Sequence, residues 1–331
     1  MNQKPENVLE VHNLTAAFEQ EDGLFTAVDD VSLTVPRGKC VGIVGESGCG
    51  KSVTAMSLVR LLPQPAGRIL CGRVLFNGED VLQMPPRRLQ ELRGGGIGVV
   101  FQEPMTALNP VHTIGAQIAE TLMLHRGMDE EEAWRESIRL LERVRIPAAE
   151  RRALEYPGSL SGGMRQRVVI AIAIACRPEL VIADEPTTAL DVTVQAQVLE
   201  LLRDLQREDG TATLLITHDL GVVAQNCDRV AVMYAGRLVE VADAAELFAH
   251  PVHAYTRALL ASMPRAGYAR KSRLPAIPGN VAALGEHVQG CRFCQRLGVD
   301  PAELTSRPPM REISPGHWVQ MCPRCVEGVA I

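Results

Sequence analysis

The chain has 331 residues, 46% hydrophobic and 22% charged, which fits a soluble globular protein with a sizeable core and one or two domains. A net charge of −5 argues against a general nucleic-acid binder, whose surface would be basic. Nine cysteines accompany an N-terminus, "MNQKPENVLEVHNL", that lacks an apolar signal core, so they are expected to be thiols or metal ligands in a reducing cytoplasm.

In chain order, "VLEVHNL" (8–14), "KCVGIVG" (39–45), "GIGVVFQ" (96–102), "LVIAD" (180–184), "TLLITH" (213–218) and "RVAVMYAG" (229–236) read as strands. Several are continuously apolar, as expected of strands covered on both faces. Between 105 and 165 the pattern is mainly helical. Trp134, Ile138, Leu141 and Val144 follow helical spacing after the acidic start "DEEEA". Val194, Val198, Leu201, Leu202 and Leu205 do the same. The longest apolar run, "VVIAIAIAC" at 168–176, is too short to span a bilayer. The alternation predicts an α/β domain with a mostly parallel sheet and a helical subdomain set into it. After about 262 prolines and glycines become dense and periodicity fades, which predicts a boundary between 1–262 and a cysteine-rich extension, 263–331.

"GESGCGKS" (45–52) satisfies G-x-x-x-x-G-K-[ST] and follows the strand "CVGIVG". Its glycines let successive N–H groups point into one concavity, and the helix that starts near Lys51 adds its positive end. Gly45, Glu46, Ser47, Gly48, Cys49, Gly50, Lys51, Ser52 and Val53 are therefore expected to bind nucleotide. Lys51 would reach the β- and γ-phosphates and Ser52 would ligate Mg²⁺. Only the backbone of Cys49 is needed. "LVIADEP" places Asp184 and Glu185 at a strand end, where Asp184 can hold Mg²⁺ and Glu185 can take a proton from the attacking water.

Between these lies "LSGGMRQR" (160–167), which resembles the signature motif of ATP-binding-cassette ATPases. With "ADEP", "ALD" (189–191) and "ITHD" (216–219), the resemblance covers the first 240 residues. "FQEPMTALNP" (101–110), "IADEPTTALDVTVQAQ" (182–197) and "HAYTRALLASMP" (253–264) are similar to ATPase subunits of bacterial oligopeptide and dipeptide importers, the D-type that pairs with a second, related ATPase. The resemblance implies a P-loop NTPase (RecA-like) core with an N-terminal antiparallel β part. It implies that Ser161 and Gly163 face ATP held by the partner, that His218 contacts the γ-phosphate, and that Gln102 senses nucleotide and Mg²⁺. It implies that Asp191 lies at the dimer seam and that Phe18 stacks on adenine, with Phe25 a weaker candidate. It also implies two transmembrane permease subunits, an indirectly acting extracytoplasmic solute-binding protein, no nucleic acid, and a peripheral location on the cytoplasmic membrane face. Peptide is the implied cargo. Nickel, glutathione and other small solutes stay open, as does a soluble non-transport ATPase.

"GCRFC" (290–294) and "CPRC" (322–325) form two C-x-x-C pairs separated by 27 residues, 295–321. Cys291, Cys294, Cys322 and Cys325 could bind Zn²⁺ or an iron–sulfur cluster. Some members of the importer family hold a [4Fe–4S] cluster in a four-cysteine tail. Here two of the family positions fall on Leu297 and Leu304, and Cys294 and Cys325 stand at new places. Spacing favours zinc, and the resemblance favours the cluster. Trp318 and the tail prolines could pack around such a centre. Cys40, Cys71, Cys176 and Cys227 read as small buried residues. "LPAIPGNV" (274–281) resembles the family's proline-rich turn before the tail, a segment that could place the tail against the partner ATPase.

Overall fold

The computed structural model describes residues 5–21, 23–188, 190–263 and 275–326, without the side chains of Met105 and Leu284. Ala189 of "ALD", Leu274 of the proline-rich turn and the stretch 264–274 after the expected boundary lie outside the described residues. The chain falls into two compact units.

One unit comprises 1–9, 35–40 and 76–216. Its centre is a run of parallel strands. Ile97–Val100 pairs with Leu180–Asp184 in the register Ile97↔Leu180 to Val100↔Ala183. Leu180–Asp184 pairs with Ala212–Thr217 in the register Leu180↔Ala212 to Asp184↔Ile216. Every residue of Leu180–Asp184 is buried, which explains its unbroken apolar sequence. Burying each large aliphatic side chain here contributes about 2 kcal/mol.

The expected helical stretch resolves into Ile114–Arg126, Glu130–Arg143 and Ala149–Ala153. Asp129 caps Glu130–Arg143 by accepting the Glu132 N–H at 2.8 Å. Glu130, Glu131 and Glu132 then place negative charge at the positive end of the helix. Ala133, Ser137, Leu140 and Leu141 form its buried stripe.

The other unit comprises 10–34, 41–75 and 217–331. One of its sheets orders Gly23–Pro36, Asn7–Gln20 and Gly67–Phe76 side by side. In its second sheet Cys40–Val44 runs parallel to Arg229–Tyr234, with Val41↔Arg229 to Val44↔Val232 in register. Arg237–Asp243 then pairs antiparallel with Arg229–Tyr234. The tail, which carried no strand signal, extends this sheet. His317–Gln320 pairs antiparallel with Arg237–Asp243, and Met310–Ser314 pairs with His317–Gln320.

Two buried charge networks fasten the tail. Asp29 pairs with Arg237, Arg292 and Arg307. Burial by itself would raise the Asp29 carboxyl, but Arg237 and Arg292 outweigh it and hold it below the ordinary range. Glu240 is fully buried and accepts from His317 Nε2 at 2.8 Å, Val252 N at 2.8 Å and His253 N at 3.0 Å. A buried carboxylate is tolerated when its oxygens are satisfied in this way.

None of the nine cysteines forms a disulfide. Cys40 is buried as expected, and Cys176 and Cys227 are half-buried. Cys71 is exposed, contrary to expectation, because it lies in Gly67–Phe76, where exposed and buried positions alternate irregularly. No described helix is long and apolar enough to cross a membrane.

Candidate functional site

In the second unit, the buried strand Cys40–Val44 runs into the loop Gly45–Gly50, and the helix Lys51–Leu58 follows at once. The loop requires its glycines. Gly50 adopts φ +103°, and a Cβ there would stand 2.5 Å from the carbonyl oxygen of Ala27. A Cβ on Gly45 would stand 2.2 Å from the carbonyl oxygen of Met233. Lys51 is 4% exposed, and its Nζ donates to the carbonyls of Gly45 and Glu46, each at 2.9 Å. The ammonium thus lies across the loop while the helix N-terminus opens beneath it, an arrangement suited to an anion. Thr54 Oγ1 closes the first turn on the Gly50 carbonyl at 2.9 Å.

Ser52 and Val53 are half-buried, and Ser47 and Gly48 are exposed. Burial raises the Cys49 thiol, which stays protonated beside Lys51. His218 is exposed between the strand Ala212–Thr217 and the helix Leu220–Asn226, which Asp219 caps. Phe18 is half-buried, with its ring against the backbone of Gly67. Phe25 lies against Gly285. A cavity of about 720 Å³ in this unit is lined by Trp318, Met310 and Leu238, among others, and touches neither the phosphate loop nor the cysteines. Trp318, which lines this cavity, is 39% exposed.

In the first unit, the strand ending at Asp184, 6% exposed, delivers Glu185. Glu185 holds a left-handed φ of +46°, a costly conformation that its N–H bond to the Ile216 carbonyl at 2.8 Å helps to hold. Gln102 Nε2 donates to the Glu185 carboxylate at 3.2 Å, and Thr188 Oγ1 donates to the same oxygen at 2.7 Å. Thr188 lies within "IADEPTTALDVTVQAQ", where nothing in the local pattern marks it as a partner of Glu185.

Ser161 is exposed and caps the helix Gly162–Ile174 by accepting the Met164 N–H at 3.4 Å. A Cβ on Gly163 would come within 2.5 Å of a Val194 methyl, so the start of this helix packs tightly on Val192–Asp209. Asp191 is exposed and caps that second helix through the Val194 N–H at 3.0 Å.

The two C-x-x-C pairs converge. Cys291, Cys294, Cys322 and Cys325 are all buried, and their Sγ atoms lie within 4.8 Å of one another. Cys294 Sγ is 3.5 Å from Cys322 Sγ and 3.4 Å from Cys325 Sγ, and Cys291 Sγ is 3.7 Å from Cys325 Sγ. Hydrogen bonds from Cys294, Cys322 and Cys325 draw Cys291 well below the ordinary thiol range, and His253 adds to this. His253 is fully buried and accepts the Tyr255 N–H at Nδ1, so its proton resides on Nε2. That buried Nε2 finds no nitrogen or oxygen partner. His253 carries no motif of its own beyond its place in "HAYTRALLASMP".

Residues 28–188 match the family described as ABC transporter, and 239–297 match the oligopeptide/dipeptide transporter C-terminal region. A probable peptide ABC transporter ATP-binding protein of Sinorhizobium fredii is 50% identical over 320 residues, covering 96% of this chain and 95% of that protein. The oligopeptide transport ATP-binding protein OppD of Salmonella typhimurium is 49% identical, with 98% of this chain and 96% of that protein covered. Among solved structures, a dimeric ATP-binding cassette in a post-hydrolysis state bound to ADP and Pi is 29% identical, with a TM-score of 0.64 over 71% of this chain and 98% of that chain. A cassette from Clostridium perfringens, part of the ABC transporter complex cbiONQ, is 27% identical, with a TM-score of 0.63 over 74% of this chain and 92% of that chain. The chain thus has the fold of a P-loop ATPase and belongs to the ATP-binding subunits of the ABC transporter family.

Proposed function

We propose that the chain couples ATP hydrolysis to the import of peptides. The observation that carries this reading is the phosphate loop itself, with Lys51 buried across it at the mouth of a helix. The relatives named for peptide and oligopeptide transport support the cargo. Lys51 and backbone N–H groups of the Gly45–Val53 loop, other than that of Glu46, which the Tyr255 hydroxyl accepts, bind the phosphates. Ser52 and Asp184, with Gln102, would hold Mg²⁺, which when bound neutralises the phosphate oxygens. Glu185 accepts the proton of the attacking water, and His218 contacts the γ-phosphate. Phe18 stacks on the adenine.

The dimeric cassette among the similar structures supports a two-chain site. Ser161 and Gly163 then face nucleotide held by a second, related ATPase, and Asp191 lies at the seam. Two permease subunits form the pore, the chain binds them peripherally from the cytoplasm, and a solute-binding protein acts indirectly. The assembled transporter should hydrolyse ATP faster when a peptide-loaded binding protein is added. Hydrolysis indifferent to peptide would contradict peptide import.

We further propose that the four cysteines hold one tetrahedral ion, zinc in preference to a [4Fe–4S] cluster. Zinc–thiolate bonds of about 2.3 Å give a tetrahedron with edges of about 3.8 Å. The close Sγ–Sγ distances of 3.4, 3.5 and 3.7 Å support that size. A cluster, which places several irons among its thiolates, needs a wider ring. The lone buried Nε2–H of His253 beside Cys291 suits a metal-bound thiolate.

A further inference from the structure

The proline-rich turn and the cysteine helix meet at one residue, Arg296. It ends the helix Arg292–Arg296, which Cys291 caps and which contains Cys294. Its side chain is 6% exposed. Arg296 Nε donates to the carbonyls of Pro278 at 2.9 Å and Gly279 at 3.2 Å, and Nη2 donates to Ile277 at 3.2 Å. The turn is fitted to this grip. Gly279 has φ +72°, and a Cβ there would stand 2.3 Å from the Arg296 carbonyl oxygen. The remaining nitrogen, Nη1, pairs with the carboxylate of Glu46, in the phosphate loop.

Glu46 is held at a second point, because its N–H donates to the Tyr255 hydroxyl at 3.1 Å. The Tyr255 ring in turn lies edge-on to Phe293, on the same turn of helix as the cysteines, at 5.4 Å. Arg296 and Phe293, one turn of helix apart, therefore both bear on Glu46.

Glu46 is a negative charge inside a loop whose ligand is a polyanion. Left uncompensated, it would repel the phosphates, most strongly in the half-buried setting of the loop. We infer that Arg296 is a positioning residue of the ATP site: it neutralises Glu46 and holds its carboxylate against the tail, so that the cysteine helix sets the affinity of the phosphate loop. The inference rests on the ATP-binding and metal-binding readings above. A loop already held in place also loses less freedom when nucleotide binds.

Equilibrium binding of a fluorescent ATP analogue with Mg²⁺ to the full-length chain tests this. Arg296→Ala should weaken binding about tenfold. Arg296→Lys, which keeps the charge, should stay within about threefold of wild type. Adding Glu46→Gln to Arg296→Ala should restore affinity to within about threefold of wild type, a rescue that a merely loosened fold would not give. Stripping the cysteine-bound metal beforehand with a zinc-selective chelator, and then titrating with Mg²⁺ present, should weaken binding as Arg296→Ala does, and Glu46→Gln should relieve that loss too. Arg296→Ala binding as tightly as wild type, or losses that Glu46→Gln does not relieve, would overturn the inference. A wild-type chain that binds no nucleotide would instead overturn the ATP-binding reading, and one that binds nucleotide but purifies without metal would overturn the metal reading.

Discussion

Gln102 and Glu185 are 83 residues apart, yet the Gln102 amide donates to the Glu185 carboxylate at 3.2 Å. Thr188 donates to the same oxygen at 2.7 Å. A general base works only if its carboxylate is aimed at the proton it takes, and small displacements are costly. Thr188→Val should lower the hydrolysis rate of the assembled transporter about tenfold or more while ATP affinity changes by less than about threefold, whereas Gln102→Ala, which also loses a contact to Mg²⁺, should lower both. Steady-state kinetics paired with equilibrium nucleotide binding checks this. Equal losses in both measurements for Thr188→Val would assign that residue to binding instead.

Gly50 tests the backbone of the phosphate loop. Its φ of +103° is left-handed, and an added Cβ would meet the Ala27 carbonyl oxygen at 2.5 Å. Gly50→Ala should therefore cost about 2 kcal/mol from strain and displaced backbone together. It should also abolish nucleotide binding at concentrations that saturate wild type. Denaturant unfolding and nucleotide titration measure the two effects separately.

Asp29 tests the attachment of the tail. Arg237 and Arg292 are almost fully buried, so Asp29→Asn leaves them without their countercharge. The loss should be about 3 kcal/mol of unfolding free energy. The Asp29 carboxyl is held below its unfolded value of 3.8, so its contribution is fully present above that pH. It is lost as pH falls through the lower, folded value. The stability difference between wild type and Asp29→Asn should thus be constant near neutrality and shrink below about pH 4. Unfolding curves at several pH values would show it.

The cysteine site makes a compositional prediction. Anaerobically purified protein should contain about one zinc per chain and no visible iron–sulfur absorption. Cys294→Ser should lose the metal, because Cys294 Sγ is within 3.5 Å of both Cys322 and Cys325. Four irons per chain with a broad visible band would replace zinc by the cluster.

The motifs proposed to bind and hydrolyse nucleotide stand out because they lie on the most strongly patterned chain. Leu180–Asp184 and Cys40–Val44 are buried throughout and read as unbroken apolar runs. The Gly45–Ser52 loop announces itself because backbone geometry restricts it to glycine. Other strands were hidden. Gly67–Phe76 alternates irregularly and carries exposed Arg73, and Met310–Ser314 has no fully buried residue. Met310–Ser314 and His317–Gln320 join the sheet through Arg237–Asp243, whose pairing no local pattern encodes. The four cysteines could be grouped by spacing, but their close approach depends on the fold. The Arg296–Glu46 pair spans 250 positions, and neither side chain occupies a position that its neighbouring motif specifies.

The central claim is that Glu185 is the general base of a site that hydrolyses ATP. The direct measurement is ATP turnover by the assembled transporter carrying Glu185→Gln, with the partner ATPase's own base disabled and nucleotide binding measured in parallel. Turnover should fall by about a thousandfold while ATP still binds with near wild-type affinity. Turnover at the wild-type rate would contradict the assignment and move the base elsewhere.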